Sequence, residues 1–422
     1  MVKESQTEQE KWPVLSTKER DRRWKRVREL MRTQGVECLV VFGLKDSNQY
    51  DGYLTNDRTG GVTIFPLKGQ LVQLYWHPQY MVGHLESTLR GEESWVQDVR
   101  LGTSGAGVVE VLKEMGFEQA DIGVVGVSIF GVGQVEGFVP FGTWSNITKN
   151  LPKAKFHEMS QEFAQLMSIK SDEEIQLVRR SADIGELASG VLMKVARPGK
   201  TENEIYSEIM HEIFLNGANG SRVPYATPLI LHSGKDNPSW GSPIWLVRAQ
   251  KPRMVQRGDL VQAEIFTIYG GMEGQVQMSV ALQPVDQMNK ECAEIARQSY
   301  LAGARTLRPG NTFGQVVEAM EEPIKQAGAW HLTPLVHSLN PLVVCSRMGV
   351  GIEKLPGIKK YKFEGSIKDS FPETVIQANT VWELEPNACL GKYRVNIGGT
   401  VLATQRGCEG LNKLATVMRV ID

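Results

Sequence analysis

The chain has 422 residues, more than one typical core holds, and its 41% hydrophobic content is enough for two. A formal net charge of -1, with Lys and Arg not gathered into runs, argues against a nucleic-acid or anionic-membrane binder. No stretch approaches the roughly 18 apolar residues of a membrane span. The opening Met-Val-Lys-Glu-Ser-Gln-Thr-Glu is polar and unlike a secretion signal, so a cytoplasmic location is expected. Thr17 to Gln34 sets apolar residues at helical spacing among charges and runs into the apolar Cys38–Phe42, which predicts a helix and then a buried strand. Val62–Phe65, Leu71–Tyr75 and Ile122–Val125 read as further strands, with Ala106–Met115 a helix before the last. An α/β first domain over residues 1–160 follows. The glycines from Gly123 to Gly142 are read as turns, because Gly131-Val-Gly133-Gln-Val-Glu136 has Glu where the third glycine of a dinucleotide fingerprint belongs.

Ser171 and Glu174 have capping-box spacing ahead of a helical face of Ile175, Val178 and Ala182, which opens a second domain over residues 161–422. Arg197-Pro-Gly-Lys-Thr201 and Arg308-Pro-Gly-Asn-Thr312 each end one helix at Pro-Gly and begin another at a Thr cap. The same punctuation occurs twice, each time beside a strand-rich stretch, and points to a duplicated α+β half. Cys38, Cys292, Cys345, Cys389 and Cys408 are odd in number and scattered, so reduced thiols are expected. Cys345 alone lies near candidate site residues.

The chemistry-bearing segments are Gly258-Asp-Leu-Val-Gln-Ala-Glu264, Gly270-Gly-Met-Glu-Gly-Gln275, His337, Trp382-Glu-Leu-Glu385-Pro386 and Gly398-Gly-Thr-Val-Leu-Ala-Thr404. On these segments, residues 168 to 412 resemble the pita-bread family of creatinase, Xaa-Pro aminopeptidases, prolidase and methionine aminopeptidase. The first domain also fits creatinase and prolidase. The resemblance implies an α+β chain, with a C-terminal pita-bread cup built from duplicated halves and an N-terminal α/β domain. It further implies a homodimer acting on a small-molecule substrate. In metal-dependent members the cup carries two Asp, a His, a Glu before Pro and a last Glu. The matching places here hold Glu264, Gln275, His337, Glu385 and, by the spacing to Thr404, Gly398. Two divalent cations about 3.5 to 4 Å apart need bridging carboxylates. Gln275 is neutral and Gly398 has no side chain, so no metal cofactor is expected; one divalent ion on Glu264, His337 and Glu385 is the alternative.

Creatinase works without metal, using a His and a Glu as acid and base, with an Arg of the small domain binding the substrate carboxylate from the neighbouring subunit. Arg58, ahead of the strand Val62–Phe65, matches that Arg, with a turn-capping cation as the alternative. Arg347 falls near a second creatinase arginine, or is a solvated loop cation. Trp240 stands where the family loop presents a histidine; an indole moves no proton but stacks on planar or cationic groups. His232 is then a substitute acid–base residue or a structural histidine. Gln277 takes the place of a creatinase carboxylate, which disfavours creatine, and Glu273 stands close enough to substitute.

The expected mechanism has His337, held by Glu385 or Glu264, shuttling a proton from water to a leaving nitrogen, with Arg58 and Gln275 orienting the substrate. That is metal-independent hydrolysis of an amide, cyclic amide or amidine C–N bond in a carboxylate-bearing metabolite. The alternatives are a metal-dependent Xaa-Pro aminopeptidase-like peptidase or lyase, and a non-catalytic peptide-binding pseudo-peptidase. The loop Lys354 to Asp369 reads as a lid, a dimer contact or a surface insertion.

Overall fold

The computed structural model describes residues 11–43, 50–128, 137–220, 229–362 and 366–422. Its contacts fall into two units. One holds the described residues between Leu15 and Met167, the other Ser168–Asp422 with the described residues up to Val14.

The first unit opens with α1 (Thr17–Gln34), in which Ser16 accepts from the Glu19 N–H, Trp24, Val27 and Met31 are buried, and Gly35 at φ 70 closes the helix. The apolar run after it is β1 (Cys38–Phe42), buried along its whole length. Then come α2 (Tyr50–Thr55), β2 (Val62–Pro66), β3 (Val72–Tyr75), α3 (Pro78–Leu89), β4 (Asp98–Leu101), α4 (Gly105–Glu114), β5 (Asp121–Val125), α5 (Phe141–Asn150), β6 (Lys155–Glu158) and α6 (Ser160–Ser168). The strands form a six-stranded sheet in the order β4-β3-β2-β1-β5-β6. A strand without polar alternation needs cover on both faces, which is why β1 lies inside the sheet. Its Val40 packs in one cluster with Val108, Val111 and Leu112 of α4. Gly123 and Gly142, expected in turns, instead lie within β5 and α5. A Cβ on Gly123 would stand 2.4 Å from Met159 Sδ and 2.7 Å from Leu39, so close packing requires this glycine. The segment Gly131 to Glu136 lies outside the described residues.

The second unit opens with α7 (Asp172–Val195), whose capping box between Ser171 and Glu174 is formed as its spacing predicts. It continues with α8 (Glu202–Leu215), β7 (Leu229–Gly234), α9 (Ile244–Val247), β8 (Leu260–Tyr269) and β9 (Met272–Leu282). A second pair of long helices follows, α10 (Gln287–Thr306) and α11 (Phe313–Gln326), the latter begun by a capping box at Thr312. The strands β10 (Val336–Leu339), β11 (Thr380–Leu384), β12 (Asn387–Leu390), β13 (Tyr393–Asn396), β14 (Gly398–Thr404), β15 (Gly407–Gly410) and β16 (Arg419–Ile421) complete it. An eight-stranded sheet runs β10-β11-β14-β9-β8-β7, with β15 on β14 and β16 on β9. Neighbours along that run are antiparallel.

Strand alternation decides which residues meet. Ser181 of α7 exchanges hydrogen bonds with Thr267, and a Cβ on Gly185 of α7 would stand 2.8 Å from Val276, so Thr267 and Val276 face the helix. In β11, Trp382 stacks on Phe313 of α11 and Leu384 lies toward Gly303 of α10. The odd-even partners Glu264, Gln275, Gln277 and Glu383 therefore point to the opposite face, away from the helices. Registers join them across strands: Glu264 pairs with Gln277, and His337 with Glu383.

Gly398, where β13 gives way to β14, holds φ +136, and a Cβ there would stand 1.8 Å from the Leu384 carbonyl oxygen. Both the backbone conformation and the space demand glycine. Gly398→Ala should lower unfolding stability by about 3 kcal/mol or more in a denaturant titration. Wild-type stability in that variant would show that the strand junction relaxes without cost.

Candidate active site

The polar cluster on the helix-free face is assembled from separate strands: Glu264 from β8, Gln277 from β9, His337 from β10, Arg394 and Asn396 from β13, and Glu385 just past β11. All six are buried. His337 Nε2 lies 3.2 Å from Glu385 Oε1, and its Nδ1 lies 3.0 Å from the Ser338 carbonyl oxygen. Gln277 Nε2 donates to Glu385 Oε2 at 2.9 Å. Asn396 Nδ2 donates to Gln277 Oε1, and Arg394 Nη2 donates to Asn396 Oδ1 at 2.8 Å and to Thr333 Oγ1 at 3.1 Å. The Arg394 guanidinium also lies over the Trp240 ring, 4.1 Å from its centroid, while Trp240 Nε1 donates to Glu264 Oε2 at 2.9 Å. Two arms thus leave Arg394: one runs through Asn396 and Gln277 to Glu385, the other through Trp240 to Glu264.

Burial drives the protonation states. It raises Glu264, the charge of Glu385 adds to the effect, and His337, Trp240 and Gln277 offset part of it, leaving this carboxyl at about 8. Burial alone would lower the His337 imidazole, but its hydrogen bond and attraction to Glu385 outweigh this and hold it above its usual range. With acceptors at both ring nitrogens, His337 is suited to the imidazolium form. Glu383, fully buried beside the cluster, is pushed well above the carboxylate range by burial and by Glu385, Glu264 and Glu273. Burial lowers Arg394, against the attraction of Cys389, Glu385 and Glu264.

The structure brings Glu264, Trp240, His337 and Glu385 together and redistributes the other expected residues. Glu264 lies inside β8. Trp240 stacks on a cation of its own chain. Gln275 is turned to Glu273, donating to its Oε1 at 2.9 Å, and Gln277 is the amide beside Glu385. Asn396, two residues before Gly398, is the polar side chain that enters the cluster from the last strands. His232 stands 3.0 Å through Nε2 from the Gly241 carbonyl oxygen, and burial lowers its pKa. Arg347 is paired with Glu318, Glu321 and Asp369, which ties its loop to α11. Cys345 is buried and its thiol is pushed up by burial, which leaves it no thiolate character. Arg58, in the first unit, lines a cavity of about 380 Å³ with Asp57, Tyr75, Tyr80 and His84. Arg394, Asn396 and Glu383 went unrecognised in the sequence. Their signal is alternation, since Arg394 and Asn396, like Glu383 and Glu385, are two apart in largely apolar segments.

The sequence profile of metallopeptidase family M24 matches residues 176–405, and the chain belongs to that family. It is 22% identical over 392 residues to an Xaa-Pro dipeptidase of Pyrococcus horikoshii, covering 92% of this chain and 96% of that protein. It is 21% identical to the creatinase of a Bacillus species, over 95% of this chain and 92% of the relative. The X-Pro aminopeptidase structure of Thermotoga maritima superposes with a TM-score of 0.73 at 17% identity, over 94% of this chain and 99% of its own. The fold is therefore the α+β pita-bread arrangement that the resemblance implied. Among the described residues no helix is long and apolar enough to cross a membrane.

Because Glu264 and His337 hold protons more tightly folded than unfolded, folding takes up protons. The stability that Glu264 contributes is complete below its ordinary value of 4.5 and is lost as pH climbs toward about 8. The thermal midpoint should fall between about pH 5 and about pH 8.5, and Glu264→Gln should flatten that slope. A wild-type midpoint that rises across the window would contradict the assignment.

Proposed function

We propose that this M24-family chain hydrolyses a C–N bond in a small carboxylate-bearing substrate by acid–base catalysis without a metal ion. The observation that carries the reading is the different partners of two buried carboxyls: Glu385 meets the His337 imidazole and the Gln277 amide, while Glu264 meets the Trp240 indole and is pushed up to about 8. Glu385 takes a proton from water as the water oxygen bonds to the carbonyl or amidine carbon. Glu264 gives its proton to the nitrogen as the C–N bond breaks. Since both ring nitrogens of His337 face protein acceptors, its part is to hold and orient Glu385 rather than to shuttle the proton itself.

The donor set does not fit the pair of cations that the family name implies. Three of the four oxygens of Glu264 and Glu385 already face protein nitrogens, from Trp240, Gln277 and His337. An indole N–H is a donor only and cannot turn to offer a lone pair. Among the described residues no three His, Cys, Asp or Glu side chains are grouped to hold a metal ion. Arg58 as a carboxylate binder, reaching the cup of a second subunit in a homodimer, belongs to the same reading.

The match to Xaa-Pro dipeptidases favours a second reading, in which the scissile bond is that of an Xaa-Pro dipeptide and turnover needs metal. A panel of amides, amidines and Xaa-Pro dipeptides, assayed by mass spectrometry with and without chelator, separates the two. His337→Ala and Glu385→Gln should each cut turnover by about 10²- to 10⁴-fold with an unchanged circular dichroism spectrum. Chelator should change nothing. Full activity in His337→Ala, or activity that returns only with added metal, would end the metal-free reading.

A further inference from the structure

The cluster that replaces a metal centre is organised around a cation that belongs to the chain. Arg394 is 1% exposed, among the largest fully buried side chains. Its Nη2 is engaged, but Nε and Nη1 have no hydrogen-bond partner among the described residues. Burying a guanidinium with nitrogens unpaired is unfavourable unless the charge has opposite charges to answer. Here the opposite charge is the Glu385 carboxylate, whose attraction reaches Arg394. The connections between them are directional. From Arg394 to Asn396, from Asn396 to Gln277 and from Gln277 to Glu385, each group donates to the next. On the other side the π face of Trp240 receives the guanidinium, and its N–H edge meets Glu264.

We propose that Arg394 is a built-in cation of the cup. Through the Asn396–Gln277 amides it places positive charge behind Glu385, through the Trp240 ring it fixes the N–H donor that meets Glu264, and its presence keeps divalent metal ions out. A divalent ion seated on these carboxylates would be repelled by the guanidinium and would meet the hydrogen atoms of the indole and amide donors. The inference rests on the metal-free reading of the site but says more, because it names the group whose removal should create a metal site.

The test compares wild type, Arg394→Met and Arg394→Lys, each treated with chelator, dialysed and titrated with Mn²⁺, Co²⁺ and Zn²⁺ by calorimetry, with metal content read by mass spectrometry. Wild type and Arg394→Lys, which retain the charge, should bind no stoichiometric ion and show no metal-dependent shift in melting temperature. Arg394→Met should melt about 10 °C lower and recover part of that loss on adding a divalent ion. If wild type is metal-free but Arg394→Met gains neither metal affinity nor metal-dependent stability, the inference falls while the metal-free reading stands. If wild type itself takes up a stoichiometric ion, both fall. Should Arg394→Met fail to fold in the absence of metal, refolding it with and without Mn²⁺ decides. Rescue by the ion supports the proposal, and equal failure in both conditions overturns it.

Discussion

Two carboxyls buried on one face of a β-sheet must be given a proton, a cation or hydrogen bonds before the sheet can close over them. In this protein Glu264 is held near neutrality as an acid, and Glu385 receives His337 and the Gln277 amide. Behind both lies Arg394. The two-arm arrangement gives the neighbouring carboxyls different partners, an indole N–H for Glu264 and an imidazole and an amide for Glu385.

The helices serve this arrangement from the far side of the sheet. α7 packs so closely on β8 and β9 that Gly185 and Gly274 leave no space for side chains. That contact buries Thr267 and Val276 and forces the alternate residues to the opposite face. Gly398 plays a comparable part at the start of β14. In a metal-dependent cup the resemblance places a carboxylate there; here the backbone conformation admits only glycine, and Asn396 provides the polar contact from two residues earlier. A neutral amide thus takes over where a bridging carboxylate is absent, and the charge needed to hold Glu385 comes from His337 and Arg394.

Much of the fold was legible because it depends on local rules. The span of α1, the capping boxes at Ser171 and Thr312, and the buried β1 follow from periodicity and from hydrogen-bonding side chains placed at helix starts. The repeated Pro-Gly and Thr punctuation likewise marked the two helix pairs of the second unit. Gly123 was misread because a glycine that admits a close side chain and a glycine that makes a turn look alike in sequence. Of the site, His337, Glu385, Glu264 and Trp240 were visible as unusual residues in recognisable segments. Gln277 was weighed only against creatine, and Arg394 was hidden as one cation among many.

By itself the sequence determined the elements and put Gln275 and Gly398 where the resemblance implies carboxylates, since each depends on residue identity and short-range spacing. Only the tertiary structure decided the partners: that Trp240 meets Glu264 and Arg394, that Gln277 rather than Gln275 meets Glu385, and that Arg347 is spent on a surface-side ion network. The reason is physical. Strand register and packing bring together residues more than a hundred positions apart, and the acidity of a buried carboxyl depends on those neighbours rather than on its place in the chain.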